Sequence, residues 1–384
     1  MSRVLSYLRD EREAIMADLR QFVIRESPSD DKACLDILAK YLAEYGEWMT
    51  GGRVELIHQD VMGDHVVIRV GDASHSPTVL IVGHFDTVWP VGTLEVMPFS
   101  VESGVVRGPG VFDMKAGLVQ GFWAIRAIRE TGGRIPSIVF LLNSDEEVGS
   151  PTSRKLIEQE AKRADVSLIL EPSCDGALKT ARKGVGNFTV EVTGRAAHAG
   201  NDPGKGISAV DEACRLTLEL HSYNGPENEA TVNVGVFNGG TRRNVVAAAA
   251  RLEVDIRVPS QADAERLTKV ILGLRPHHAE ARVRVSGGIS RPPMERTASI
   301  GRLFLQARSL AAELGFDLQE ASVGGGSDGN FCASVNPLVL DGLGAVGDGA
   351  HALSEHVVVD QLAPRSALVA RLLETVCEST KSEM

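Results

Sequence analysis

The chain of 384 residues lacks any apolar run approaching the roughly 20 residues that span a bilayer. Its first twenty residues, MSRVLSYLRDEREAIMADLR, carry acids at helical spacing and no apolar leader core, so no signal peptide is expected. Cysteine is scarce. Cys34, Cys174, Cys214, Cys332 and Cys377 are scattered and odd in number, which excludes a disulfide framework and points to a reducing cytoplasm. Basic residues are outnumbered, 40 Lys and Arg against 51 Asp and Glu, for a formal charge of −11. That balance argues against nucleic acid or an anionic membrane as partner. Internal repeats and low-complexity linkers are also missing. What remains, 43% hydrophobic and 24% charged, is an ordinary globular composition, long enough for two domains.

Apolar periodicity predicts helices over 1–20 and 31–45, the second capped by Ser29 or Asp30. Strands VELIHQ, HVVIRV, TVLIVG (78–83), SIVFLLN (137–143) and VSLIL (166–170) follow, with helices near 113–130 and 153–164 between them. Fully apolar strands separated by helices predict a mixed, mostly parallel sheet covered on both faces. Near residue 177 the texture changes to alternating strands. NFTVEVTG, TVNVGVFN, AAARLEVDIRV and ARVRVSG, with helices over 205–221 and 261–274, give the order β-α-β-β-α-β, a ferredoxin-like α+β module. After about 290 the first pattern resumes, with helices at 298–314 and 361–379. The expected organisation is a catalytic α/β domain, 1–176 and 290–384, interrupted by an inserted domain, 177–289.

Three apolar strands end in metal-binding residue types. TVLIVG runs into His84 and Asp86, SIVFLLN into Asp145-Glu146-Glu147, and VSLIL into Glu171. The carboxyl ends of strands in an open α/β sheet form its ligand crevice. So many carboxylates beside a histidine would protonate one another unless a cation held them, and one or two divalent ions resolve the conflict. Each piece alone is ordinary: a buried His beside a turn Asp, a solvated Glu pair, Asp113 as a helix cap in GPGVFDMKAG, His351 in a glycine-rich loop. One rival exists. Gly325-Gly326-Ser327-Asp328-Gly329 fits the nucleophile elbow, with Asp341 and His351 following in hydrolase order. An elbow needs a buried strand before the serine, and DLQEASVGG is a poor one. The same glycines can instead offer backbone N–H groups to a substrate carboxylate.

Together, VGHFDTVWPVGTL, RGPGVFDMKAG, NSDEEVGS, ILEPS, GRAAHAG, RNVV, GGGSDG and GAH resemble the glutamate carboxypeptidase/aminoacylase family of co-catalytic zinc metallopeptidases. The resemblance covers essentially the whole chain and is nearest to the bacterial folate-cleaving glutamate carboxypeptidases. It implies two zinc ions, with cobalt or manganese as substitutes: His84 and Glu171 on one, Glu147 and His351 on the other, Asp113 bridging. It implies Asp86 as the residue that orients His84, Glu146 as general base, and a cis peptide after Asp113. His198 of the inserted domain would reach a partner's site across a homodimer and steady the oxyanion. Asn244 and Arg257 would hold the oxyanion and the substrate's terminal carboxylate, and Arg291 an acidic side chain. The inserted domain would be the lid and dimerisation domain. Met114 departs from the pattern, since the glutamate carboxypeptidases often carry a second acid there. Residues 177–183 do not align with the lysine that some relatives use for an acidic side chain. The implied reaction is hydrolysis of an amide bond that releases a C-terminal amino acid from an N-acyl amino acid or small peptide. An aminoacylase or N-acetyl amino acid deacetylase is the alternative, with a serine hydrolase on Ser327 or a non-catalytic binding homologue more remote.

Overall fold

A computed structural model describes residues 2–72, 77–225 and 229–379, with side chains described to 376; the Cys377 side chain lies outside that range. The chain forms two compact units. The first comprises Met1–Ala181, Arg296–Ser322 and Ser327–Met384, the second Arg182–Glu295 and Val323–Gly326.

The first unit is built on a six-stranded sheet. Its strands are β1 (Arg53–Ile57), β2 (His65–Val70), β3 (Thr78–His84), β4 (Ser137–Asn143), β5 (Val166–Ile169) and the short strand Val339–Leu340. The spatial order is β1-β2-β4-β3-β5 and then Val339–Leu340. β1 and β2 pair antiparallel, as do β2 and β4; every other pair is parallel. The sheet is therefore mixed and mostly parallel. Helices flank it, and every residue of β4 is buried, which is why SIVFLLN carries no polar alternation.

The helices depart from expectation in instructive places. The first is two helices, Arg3–Asp10 and Arg12–Val23, because the chain leaves helical geometry at Glu11 (φ −88°, ψ 13°). The next runs Lys32–Thr50 and is capped by Asp31, whose carboxylate accepts the Cys34 N–H at 3.0 Å. Ser29 and Asp30 do not supply that cap: the Ser29 hydroxyl donates to Asp86, 2.7 Å away. The helix after Asp113 begins only at Ala116 and runs to Glu130. Its first turn presses on the end of β5. A Cβ built on Gly117 would lie 2.1 Å from the Leu170 carbonyl oxygen. Gly117→Ala is expected to destabilise the fold by about 1–3 kcal/mol through this overpacking, read as a lower thermal midpoint.

The second unit has its own apolar core, formed by residues such as Phe188, Val190, Leu216, Leu252, Ile256 and Leu267. Strands Gly184–Thr193, Thr231–Gly239, Ala249–Val258 and Arg282–Arg291, with helices Ala209–His221 and Gln261–Leu272, follow the order β-α-β-β-α-β. All strand pairs are antiparallel, with Gly184–Thr193 and Ala249–Val258 central. This is the ferredoxin-like arrangement. Gly184–Thr193 buries alternate residues, as a sheet covered on one face requires. Ser208 and Ser260 cap the two helices through the N–H groups of Asp211 and Asp263. The unit is closed at its neck: Arg182 and Met294 exchange backbone hydrogen bonds at 2.9 and 3.0 Å.

Candidate active site

β3, β4 and β5 are parallel, so their carboxyl ends fall on one edge of the sheet. His84 is the last residue of β3 and is buried. Its Nδ1 donates to the Asp86 carbonyl oxygen at 3.0 Å and lies 3.4 Å from the Asp86 carboxylate. The peptide oxygen two residues on and the Asp86 carboxylate both face Nδ1, the peptide oxygen the nearer, and the carboxylate does further work besides. Asp86 is fully buried and accepts the N–H groups of Glu146 and Glu147, each at 3.1 Å, and the Ser29 hydroxyl. It fastens the turn after β4 to the turn after β3. With Nδ1 occupied, His84 Nε2 faces outward, 3.2 Å from Asp113 Oδ1 and 3.7 Å from Glu171 Oε1.

A second group mirrors the first. His351 Nε2 lies 3.2 Å from Glu147 and 3.4 Å from Asp113 Oδ2. Asp113 therefore turns one oxygen to each imidazole. The peptide Asp113–Met114 is cis. His351 sits at φ +62°, an uncommon conformation for a residue with a side chain, on the loop between strands Gly347–Asp348 and His356–Val358. Ligand atoms of His84, Asp113 and Glu147 lie within 4.8 Å of one another. Two imidazole nitrogens and three carboxylates, one of them shared, suit two divalent cations of the zinc, cobalt or manganese kind.

The electrostatics agree with cation sites. Burial pulls His84 down, but Asp113 and Asp86 outweigh it and hold the imidazole well above its ordinary value. Hydrogen bonds to Asp113 and Glu147 push His351 up to about 10. Burial opposes ionisation of Asp113, yet the two histidines hold its carboxyl well below the usual range, while burial raises Glu147. At neutral pH the metal-free cluster holds a proton on His351. A cation must displace it, because a ligating imidazole needs its lone pair. At pH 8, loading with a divalent cation is expected to expel at least that one proton per chain. Calorimetry in two buffers of different ionisation enthalpy reads this number. Release should shrink as pH climbs through about 10, where His351 sheds its proton unaided. By the same sign, His351 supports the metal-free fold fully below about pH 6.5 and loses that contribution as pH rises through its folded value.

Several residues at the site carry no obvious signal in sequence. Glu355 is buried and accepts N–H groups from Gly110, Phe112, Asp113 and the Trp89 indole. An acid four residues past a loop histidine reads as solvated surface. Lys115 is buried and donates to the Arg25 carbonyl oxygen at 2.8 Å; burial pushes its amine down to about 7 against the pull of Glu355, Glu26 and Asp86. Asp145 accepts the hydroxyls of Thr152 and Ser153 and so anchors the turn that carries Glu146. Glu146 itself is half-buried and opens the turn Glu146–Val148.

Ser327 is not a nucleophile in this structure. It is buried at the start of helix Asp328–Val335, where its hydroxyl accepts the Gly329 N–H and donates to Asp341 at 2.7 Å. His351, the third member of that supposed triad, turns its Nε2 to Asp113 and Glu147 instead.

The remaining expected site residues belong to the second unit. His198 is exposed, and its Nδ1 accepts the N–H groups of Gly200 and Asn201 at 3.1 and 3.0 Å. A nitrogen that accepts two donors carries no proton, so the ring presents its Nε2–H. The Asn244 carbonyl accepts the Ala199 N–H at 3.0 Å, which brings Asn244 beside the His198 loop. Arg257 gives Nε and Nη2 to Asp255 at 2.9 and 3.1 Å, a pairing favoured by positions i and i+2 sharing a strand face. Arg291 is buried at the end of its strand. The Gly325 carbonyl accepts Arg182 Nη1 at 3.1 Å, and Gly326 follows in the same short segment.

The sequence model of peptidase family M20/M25/M40 matches residues 80–375. Carboxypeptidase G2 of Pseudomonas sp. (strain RS-16) is 30% identical over 375 residues, 95% of this chain and 89% of that protein. Succinyl-diaminopimelate desuccinylase of Dechloromonas aromatica is 28% identical over 368 residues, 90% of this chain and 93% of that one. Among solved structures, aminopeptidase PepT of Bacillus cereus superposes with a TM-score of 0.76 at 23% identity, covering 95% of this chain and 98% of that chain.

Proposed function

Because this chain belongs to peptidase family M20/M25/M40, we propose that it is a dinuclear zinc hydrolase of the carboxypeptidase kind. It cleaves an amide bond and releases a C-terminal amino acid, glutamate or a relative of it, from an N-acyl amino acid or small peptide. The observation that carries this reading is Asp113, one carboxylate turned to two imidazoles that each have a further carboxylate beside them.

His84, Glu171 and Asp113 would hold one cation, and His351, Glu147 and Asp113 the other. Such a pair polarises a carbonyl and makes water acidic enough to attack at neutral pH. The chain's own residues do the rest. Glu146, outside the ligand set, takes the proton from the attacking water and returns it to the leaving amine. Asp86 keeps Glu146 and Glu147 in register by holding both their N–H groups. The Nε2–H of His198 is the right tautomer to donate to a developing oxyanion, with Asn244 beside it. Arg257 selects a free carboxylate once Asp255 releases it, and Arg291 and the glycines 325–326 complete substrate recognition.

The unit that carries His198 serves as lid and dimerisation surface. Its edge strand Thr231–Gly239 exposes Val236 and Phe237, and its helix exposes Leu218, side chains that a second copy would cover. Among the described residues no helix is long and apolar enough to cross a membrane. We take the scattered cysteines, of which Cys34, Cys174, Cys214 and Cys332 are free, as support for a cytoplasmic enzyme.

The 28% identity to a desuccinylase favours a second reading in which the acyl group is what the enzyme selects. One assay separates the two: the metal-loaded enzyme against N-acyl amino acids that vary the C-terminal residue under one aromatic acyl group, then vary the acyl group. Chelator-sensitive cleavage that prefers Glu or Asp is the expected result. Preference for a neutral residue, or for acetyl or succinyl groups alone, moves the assignment to a deacylase. Turnover that persists with chelator removes the metal mechanism altogether.

A further inference from the structure

We infer that Glu355 is the positioning residue for the bridging carboxylate of Asp113, holding its turn in the shape that lets one side chain face both imidazoles. The inference rests on the dinuclear reading of the site and adds to it a residue outside the ligand set.

The turn that bears Asp113 has little regular structure to fix it. Asp113 (φ −114°, ψ 95°) and Met114 (φ −132°, ψ 34°) both leave helical geometry. Within the turn, Val111 N–H reaches the Gly108 carbonyl at 3.2 Å and Lys115 N–H the Gly110 carbonyl at 2.9 Å. The N–H groups of Gly110, Phe112 and Asp113 go instead to Glu355. Its Oε1 accepts Phe112 at 2.8 Å and Asp113 at 3.1 Å. Its Oε2 accepts Gly110 at 3.1 Å and the Trp89 indole at 2.8 Å. Four donors fill the roughly four lone-pair sites of an ionised carboxylate, two on each oxygen.

The location matters as much as the count. Trp89 stands on the segment that follows His84 and Asp86, Asp113 on the turn itself, and Glu355 four residues beyond His351. One carboxylate therefore ties together the three segments that bring His84, Asp113 and His351. Strands Val105–Arg107 and His356–Val358 pair beside it, so the tie is made at the root of both loops. Glutamine is the informative replacement. Its amide has one accepting oxygen, so either orientation sets an NH₂ against two N–H donors. The shape is kept and the hold on one side of the turn is lost.

The test is zinc titration of the metal-free protein by calorimetry, with kcat and KM measured alongside. For Glu355→Gln, the weaker of the two zinc equivalents is expected to lose about 10–100-fold in affinity, as loss of an outer partner of a metal ligand does. kcat should fall with it while KM stays within about 2-fold, since the turn does not grip substrate. Trp89→Phe removes one donor but keeps all three backbone bonds, and its zinc affinities should match the wild type. If Glu355→Gln does not fold, Glu355→Asp carries the same test, with a smaller loss of the same equivalent. A variant that melts earlier yet binds both equivalents and turns over normally makes Glu355 merely structural and overturns the inference. So does Trp89→Phe losing zinc as Glu355→Gln does. A wild type that takes up fewer than two equivalents overturns the dinuclear reading and this inference together; two equivalents in the wild type with an unaltered variant overturns the inference alone.

Discussion

On the proposed dinuclear reading, Glu146→Gln takes up metal as the wild type does and loses turnover by about 10²–10⁴-fold, the contribution typical of a positioned acid–base group. The backbone of Glu146 is pinned through its N–H by Asp86 Oδ1, and that of Glu147 by Asp86 Oδ2. Neither bond involves the Glu146 side chain, so glutamine leaves the turn and Glu147 in place. What changes is proton affinity: an amide cannot take the proton that an attacking water gives up. The check is kcat at saturating substrate together with metal content on the same sample. Wild-type turnover removes Glu146 from the base role. Lost turnover with lost metal would mean the substitution had disturbed the cluster, and Asp86 would then be the residue to examine.

Asp113→Asn should cost more in metal binding than any other isosteric change in the chain. Oδ1 of Asp113 faces His84 at 3.2 Å and Oδ2 faces His351 at 3.4 Å. An amide has oxygen on one side only and turns an NH₂ donor, with no lone pair to give, toward the other cation. It also removes the negative charge that both imidazoles lean on. The expected loss for one of the two equivalents exceeds the roughly 10–100-fold seen when only an outer partner of a metal ligand is removed. Activity should fall in parallel. Metal counting by mass spectrometry after dialysis checks it, with one ion per chain as the expected result. Two tightly held ions would mean that Asp113 does not bridge.

How much of this can be read without coordinates depends on where each residue lies. β3 and β4 are legible because a strand buried on both faces must be apolar throughout, and the polar residues that end it are then conspicuous. His84, Glu146, Glu147 and Glu171 all stand at such ends. Asp113 and His351 are on turns and become meaningful only through motif order. Glu355 and Lys115 are invisible to that reasoning, since charge in a loop or in a helix's first turn reads as solvation and nothing local reports that another segment covers it. The cap at Asp31 shows a milder failure of the same kind. Ser29, Asp30 and Asp31 are all competent caps by type, and the choice was made by Asp86, 57 residues away, which takes the Ser29 hydroxyl. Arg257 shows the opposite limit: a basic residue on an alternating strand is easy to find, but its engagement with Asp255 is a matter of rotamers.

The neck of the second unit bears on how the cluster is assembled during synthesis. His84, Asp113, Glu147 and Glu171 all precede residue 182, and His351 follows the intervening unit. On the proposed dinuclear reading, the group His84, Asp113 and Glu171 is therefore complete in the emerging chain while the group of Asp113 and Glu147 awaits His351. A long stretch between two segments that must meet ordinarily slows folding, because distant contacts come late. Here Arg182 and Met294 are clasped by a reciprocal pair of backbone bonds. Once the inserted unit has folded, the two ends of the surrounding chain emerge side by side. The search that brings His351 home then starts from a loop only about as long as the stretch from Met294 to His351, a modest closure cost.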